Sequence, residues 1–312
     1  MAIKYRRKVL AAAIEGDYGV SGNPDASAAA ILTRDFEIRP LEGEALSRDL
    51  DKAQFGNDPA TMVGKHVVMT FGVELAGAGG AGDTVPGYGL LLRACGMSEV
   101  VDDTPTEESV TYETIDTGIP SLTLESIFDK RRHLIVGARG SFEISTSVRG
   151  YPIIRFTFMG LFSKPVAGTI GATDTSAFKP PIPFSASSVV ASLFTNTIGL
   201  RELTVQGGQS VEFYEHSELE EIQITDREGG GSMQFEEPEV GTFDVVGAAA
   251  DDTQGAFSYV HGTAAGAITE IQMPNIQLTS TTYTDQQGIS QIAANYNSIP
   301  TDSDPDLRLI VR

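Results

Sequence analysis

The residues with the clearest chemical potential form a glycine run, Gly77-Ala78-Gly79-Gly80-Ala81-Gly82, with Asp102 downstream. Its spacing matches the G-x-G-x-x-G turn that lets a backbone approach a pyrophosphate, with an acid about twenty residues on for a ribose. That turn must run straight into a helix, yet Asp83 and Pro86 intervene and no strand-helix-strand alternation follows. The run therefore reads as a flexible connection between a strand and a surface helix. Four histidines (His66, His133, His216, His261) stand singly, without zinc spacing or an H-E-x-x-H pattern. The sole cysteine, Cys95, lies beside Leu90-Leu91-Leu92 on a short apolar helix and reads as core. Asp302, Asp304 and Asp306 alternate like a calcium loop, but the glycine at position six and the glutamate at twelve are missing and Pro305 interrupts. They read as an exposed acidic turn. The acid pairs Glu107-Glu108 and Glu220-Glu221 would serve acid-base work only if buried face to face. No catalytic, cofactor-binding or metal-binding residue is assigned, and an enzyme is not expected.

Period-two alternation dominates. Val67, Met69, Phe71 and Val73 share one strand face, as do Phe142, Ile144 and Val148. After an Arg149-Gly150 turn, Ile154, Phe156, Phe158 and Phe162 share another, completing a hairpin. Val211/Phe213, Ile222/Ile224, Met233/Phe235, Phe257/Tyr259 and Ile276/Leu278 repeat the spacing. Helical periodicity is confined to Tyr88–Met97 and Val240–Ala250. The expected class is mostly β: two tandem β-sandwich domains, each with one short flanking helix. The expected bounds are an N-terminal arm at 1–30, a first sandwich at 31–166, a Pro/Ala/Thr linker at 167–187 and a second sandwich at 188–312.

The two halves follow one order of elements. Leu32–Ile38 parallels Thr197–Val205, and each precedes a long polar loop (Leu41–Gly64 and Gln206–Gly230). A strand, a short helix and another strand follow (Ser121–Leu124 against Ala256–Tyr259). The closing hairpins Gly140–Pro165 and Pro274–Pro300 match in length. Insertions at Gly77–Gly82 and Ser98–Gly118 account for the drifting offset. Two unrelated β domains in tandem would leave a similar strand count.

Composition narrows the partners. The 312 residues carry 42 acidic against 22 basic side chains, a net charge of -20, which disfavours a clamp that must neutralise phosphates. With one cysteine there is no intrachain disulfide, and no stretch approaches the roughly 20 apolar residues of a membrane span. Lys4–Lys8 precede an apolar run that Glu15 ends after six residues, too short for a secretory core, so the chain is expected to be soluble and made in the cytoplasm. Acids crowd one stretch: Glu212, Glu215, Glu218, Glu220, Glu221, Asp226 and Glu228. They are candidates for an acidic lumen or interface. Bases gather at Lys4, Arg6 and Arg7 and at Lys130, Arg131 and Arg132; with Arg48, Asp49 and Lys52 they are candidates for contacts between subunits or rings. Separated blocks of opposite sign suit head-to-tail association.

Several segments resemble the major tail tube proteins of long-tailed, non-contractile bacteriophages: Leu10–Glu15 with Tyr18-Gly19, Arg39–Glu44, Gly64–Leu75, Gly89–Gly96, Gly137–Phe142, Tyr259–Thr263 and Leu307–Arg312. The resemblance implies a β-sandwich with a flanking helix that assembles into rings, whose inner sheets join edge to edge around a DNA conduit. It implies a homo-oligomer in the virion tail, with assembly chaperone, tape-measure, terminator and tail-tip proteins as partners, DNA passing without sequence-specific contact, and no cofactor. Two such domains per chain would let three chains make a pseudo-sixfold ring. The 1–30 arm and the loop 41–64 would then order against a neighbouring ring. The competing expectation is a pair of β-sandwich binding modules for carbohydrate or a receptor; with no Trp and nine Tyr, stacking platforms for sugars are scarce.

Overall fold

A computed structural model describes residues 3–80, 82–105 and 108–312. Alternating apolar residues pull the N-terminal half into strands: β1 (Lys8–Ile14), β2 (Ala30–Ile31), β3 (Arg34–Ser47), β4 (Ala60–Glu74), β5 (Val100–Asp102), β6 (Ser109–Glu113), β7 (Leu122–Phe128), β8 (Arg131–Ser147), β9 (Ile153–Leu161) and β10 (Val166–Ala167). Two short helices, α1 (Ala26–Ala29) and α2 (Gly89–Arg93), interrupt them. The C-terminal half continues with β11 (Val189–Leu193), β12 (Asn196–Ile198), β13 (Leu200–Gln206), β14 (Gln209–His216), β15 (Leu219–Arg227), β16 (Gly230–Glu236), α3 (Val245–Ala250), β17 (Gln254–His261), β18 (Thr269–Gln286), β19 (Ile289–Ser298) and β20 (Arg308–Val311). The protein is mostly β.

Strand pairing in the first half recurs in the second. β1 pairs with β2 and β7, β3 with β4, β4 with β9, β7 with β8, and β8 with β9 and β10. In the same order, β11 pairs with β12 and β17, β13 with β16, β16 with β19, β17 with β18, and β18 with β19 and β20. All these pairs are antiparallel. In each half one long strand, β8 or β18, crosses from an outer sheet to an inner one, giving two packed layers.

The apolar faces meet between the layers. Val67, Met69, Phe71 and Val73 of β4 are fully buried, as are Ile154, Phe156 and Phe158 of β9. Phe71 lies 5.8 Å from Phe156 and 6.0 Å from Phe158 between ring centroids. Each such ring contributes about 1.5–3 kcal/mol by leaving water. Phe235, Phe257, Tyr259 and Tyr296 fill the corresponding space in the second half. α2 presents Leu91 and Leu92, and Cys95 follows it into the core; burial pushes the Cys95 thiol well up, so it is a packing group.

Several expectations are corrected. Lys8–Ile14, assigned to an arm that orders on assembly, forms strand β1, with Leu10 and Ala11 buried between β2 and β7. Residues 41–64 are not a loop: β3 runs to Ser47 and β4 starts at Ala60, so a hairpin arm projects from the sheet and only 48–59 lack strand structure. Residues 206–230 likewise form the β14–β15 hairpin. Val148 and Phe162 fall beyond the ends of their strands, and Val148 is exposed. The helices are shorter than their periodicity suggested. The stretch expected as a linker is a strap pinned to both halves: the Ala30 amide donates to the Asp174 carbonyl and Phe178 packs on the core, while Phe184 is buried with its ring against Tyr259 and His261. In the glycine run, where Ala81 lies outside the described residues, the Gly79 amide donates to the Gly266 carbonyl at 2.7 Å. The run is thus a packing contact with the second half.

Candidate assembly interface

The inner layers of the two halves are one sheet. β8 pairs with β13 over Glu143–Ser147 and Glu202–Gln206, which links β3-β4-β9-β8 to β13-β16-β19-β18 as eight consecutive strands. At the seam Val205 faces Ile144 and Leu203 faces Thr146, so the buried face crosses without a break. The Val148 amide donates to the Arg201 carbonyl at 2.9 Å, and Phe184 bonds to the turn that follows β8, its carbonyl accepting from the Arg149 amide and its amide donating to the Gly150 carbonyl. A second link lies in the outer layer. The insertion 98–118, assigned only to the first half, supplies β6, which pairs with β20. Arg308 on β20 also contacts Glu113 on β6.

Residues directly opposite one another share a face, so the register defines the other side of the eight strands. It carries Thr70, Thr157, Ser141, Ser145, Thr204, Ser232, Asn295 and Thr282 from strand to strand. Gln234 donates to Thr284 at 3.1 Å and Asn295 to Ser280 at 2.9 Å. Its charged members are mixed: Glu37, Glu42, Glu74, Glu143, Glu202 and Glu236 with Arg34, Arg39, Arg139 and Arg155. This is a hydroxyl- and amide-rich surface with little net charge.

The β14–β15 hairpin folds back across one margin of that face, against β4, β8 and β9. Gly208, at φ +72°, sets the fold-back; a Cβ there would lie 2.0 Å from the Glu228 carbonyl oxygen. Phe213 stacks on His66 at 5.5 Å, and Ile222 is fully buried. The Ile222 amide donates to the Tyr18 hydroxyl at 2.6 Å, and burial raises the Tyr18 pKa. Arg139, largely buried, clamps the hairpin: it donates to the Ile222 carbonyl at 2.6 Å, to Glu221 at 3.1 Å and to the Ile119 carbonyl at 3.3 Å. Of the acids expected to line a lumen, Glu221 is thus an intrachain partner of Arg139. Glu212, Glu215, Glu218, Glu220, Asp226 and Glu228 are exposed on or beside the hairpin. Glu215 and Glu220 stand directly opposite each other, a repulsion that only solvent or a cationic partner relieves. The pair Glu220-Glu221 points to opposite sides of a strand, and Glu107 lies outside the described residues.

The two basic patches, distant in sequence, converge. Lys8 pairs with Phe128, the Asp129 amide donates to the Arg7 carbonyl, and the Asp129 carboxylate binds the Arg7 guanidinium at 2.8 Å and the Lys4 amide at 3.2 Å. Lys4, Arg6, Arg7 and Lys130 are exposed there. Arg132 is bound to Glu125 and Arg131 lies over the Phe128 ring at 5.2 Å, so those two are part of the packing. Arg48, Asp49 and Lys52 sit near the tip of the β3–β4 arm, exposed, with Lys52 bound to Asp58. The Asp302–Asp306 turn departs from its expected exposure: Asp306 is buried, pairs with Arg227 at 3.3 Å and accepts from Thr114, tying the hairpin to both halves.

Both outer strands of the eight are open. Among the described residues β3 pairs only with β4, and β18 beyond Leu278 pairs only with β19. The seam β8–β13 and the clamp at Arg139 were invisible in the sequence, because pairing between distant edges leaves no local period. Only the Val211/Phe213 and Ile222/Ile224 alternation signalled the docked hairpin. No family model and no curated protein matches the chain.

Proposed function

We propose that the chain is a structural subunit that closes with two further copies into a ring, the rings stacking into a tube through which DNA passes. The observation that carries this reading is the inner sheet: one set of pairings occurs twice, the two sets are joined edge to edge at β8–β13, and the outer edges β3 and β18 are left open. An open edge is an unsatisfied hydrogen-bonding template. Closure of β18 on β3 of the next copy would repeat the internal seam, and a head-to-tail contact of this kind makes a ring when its rotation closes. Three copies would enclose about 24 strands; at roughly 4.8 Å spacing and a tilt of about 40° the barrel is about 48 Å across, wide enough for duplex DNA. The core faces outward against the second layer, so the polar face lines the bore. Hydroxyls, amides and mixed charges, with the exposed acids of the β14–β15 hairpin on the same side, offer phosphates no strong hold.

Native mass spectrometry combined with negative-stain microscopy at high protein concentration tests the reading. Rings of three 33.2 kDa chains with sixfold appearance are expected. Rings of six chains, or a monomer that persists at every concentration, would refute it.

A further inference from the structure

A groove of about 710 Å³ lies in the second half between β16, β18 and β19 and is lined by Gly230, Ser232, Thr279, Asn295, Asn297 and Pro300. Its position is defined by the repeat. Five residues back from the buried pair Phe71–Phe156 stands His66–Leu161; five residues back from Phe235–Ile292 stands Gly230–Asn297. His66 is where Phe213 of the β14–β15 hairpin docks. The groove is therefore the second half's counterpart of the seat that this hairpin fills on the first.

The occupant follows from the same counting. In the first half the seat is filled by the segment that continues from the strand paired with β8, namely β13 into β14–β15. The segment in the equivalent place for β18 is β3 continuing into its arm. The arm is hinged as the hairpin is: Gly43 has φ +150° and a Cβ there would lie 2.6 Å from the Val63 carbonyl oxygen, as at Gly208 against Glu228. It also carries apolar side chains with nothing to cover them. Leu46 and Leu50 are about half exposed, and Phe55 is fully so. In its own chain the arm projects from the far edge of the sheet, seven strands from β18.

We infer that the groove between β16, β18 and β19 is the seat for the β3–β4 arm of a second copy of this chain. The arm and the β18–β3 edge pairing then form together, the arm locking the seam as Phe213 and Arg139 lock the internal one. The inference rests on the ring reading and adds the contact that selects the neighbour, placing the arm within a ring and not between rings.

Inter-chain cross-linking tests it on the full-length protein, since buried Cys95 does not compete. Single variants Leu46→Cys and Leu50→Cys are each mixed with Thr279→Cys or Asn297→Cys, assembled, and treated with a short bis-maleimide. At least one pairing is expected to give covalent dimers in about tenfold excess over the same arm variants mixed with Val240→Cys. Rings visible by microscopy with dimer yields at the control level for all four pairings would overturn the arm contact and leave the ring standing. A persistent monomer would overturn both.

Discussion

Replacing Arg139 by alanine should release the β14–β15 hairpin while leaving the rest of the fold in place. The guanidinium makes two hydrogen bonds to the hairpin, to the Ile222 carbonyl at 2.6 Å and to Glu221 at 3.1 Å. Each involves a charged group, and at the lower end such bonds contribute about 1.5 kcal/mol, or about 3 kcal/mol together. At about 1.4 kcal/mol per factor of ten, the population with the hairpin lifted rises roughly 100- to 200-fold. Native-state hydrogen exchange reads this directly, because the amides from Glu221 to Thr225 exchange through that opening. Arg139→Lys keeps the charge but loses the planar fork, whose Nη1 holds the hairpin while Nη2 holds the Ile119 carbonyl, and should fall between the two. Glu221→Gln should cost no more than about 1.5 kcal/mol, since the bond to the Ile222 carbonyl survives. Protection in β15 that changes by less than about threefold in Arg139→Ala, with circular dichroism unchanged, would refute the clamp. The Phe213–His66 stack, the buried Ile222 with its bond to Tyr18, and the Arg227–Asp306 pair would then hold the hairpin.

Two further perturbations test the account. Gly208→Ala places a Cβ 2.0 Å from a carbonyl oxygen at φ +72°, whereas Gly118→Ala at φ +73° meets open space; denaturant melts should show a loss of about 3 kcal/mol or more for the first and about 1 kcal/mol for the second, and equal losses would contradict the hinge geometry. His133 and His261 both have lowered pKa values, chiefly through burial, with Arg131 adding to the effect at His133 and a hydrogen bond to the Pro183 carbonyl opposing it at His261. Below about pH 6.5 the unfolded chain takes up protons that the fold excludes, so their contribution is complete above that pH and is lost as pH falls, by at most about 1.4 kcal/mol per pH unit for each ring. The double variant His133→Gln/His261→Gln should show a shallower decline in urea midpoint between pH 7 and 5 than the parent; parallel declines would reject the assignment.

The sequence made visible whatever was half-buried in one direction. β4, β8 and β9 were legible because one face of each meets a core and the other meets water, and the order of elements disclosed the recurrence before any pairing was seen. The β3–β4 arm looks like a loop because neither of its faces is buried, so its strands leave no alternation between Glu42 and Gly64. β1 shows no alternation for a different reason: Val9–Ile14 is a continuous short apolar run, and its Leu10 and Ala11 are covered by partners that arrive from elsewhere in the chain. Asp306 looked like a surface acid because its partners, Arg227 and Thr114, are 79 and 192 residues away. The seam at β8–β13 is held by backbone groups that every residue carries, and nothing in the side chains of Glu143–Ser147 announces it.

The two kinds of seam are unequal. Within the chain the halves are fastened in both layers, by β8–β13 inside and by β6–β20 outside, with Arg308 bound to Glu113 across the latter. The insertion that supplies β6 has no counterpart in the second half, so an edge contact between copies would have an inner fastening and no outer strand to match. A ring of such subunits would alternate stiff and compliant joints, three of each. Under bending or pressure from within, strain would collect at the joints between chains, and the tube would flex and finally part along threefold lines, sparing the covalently continuous ones.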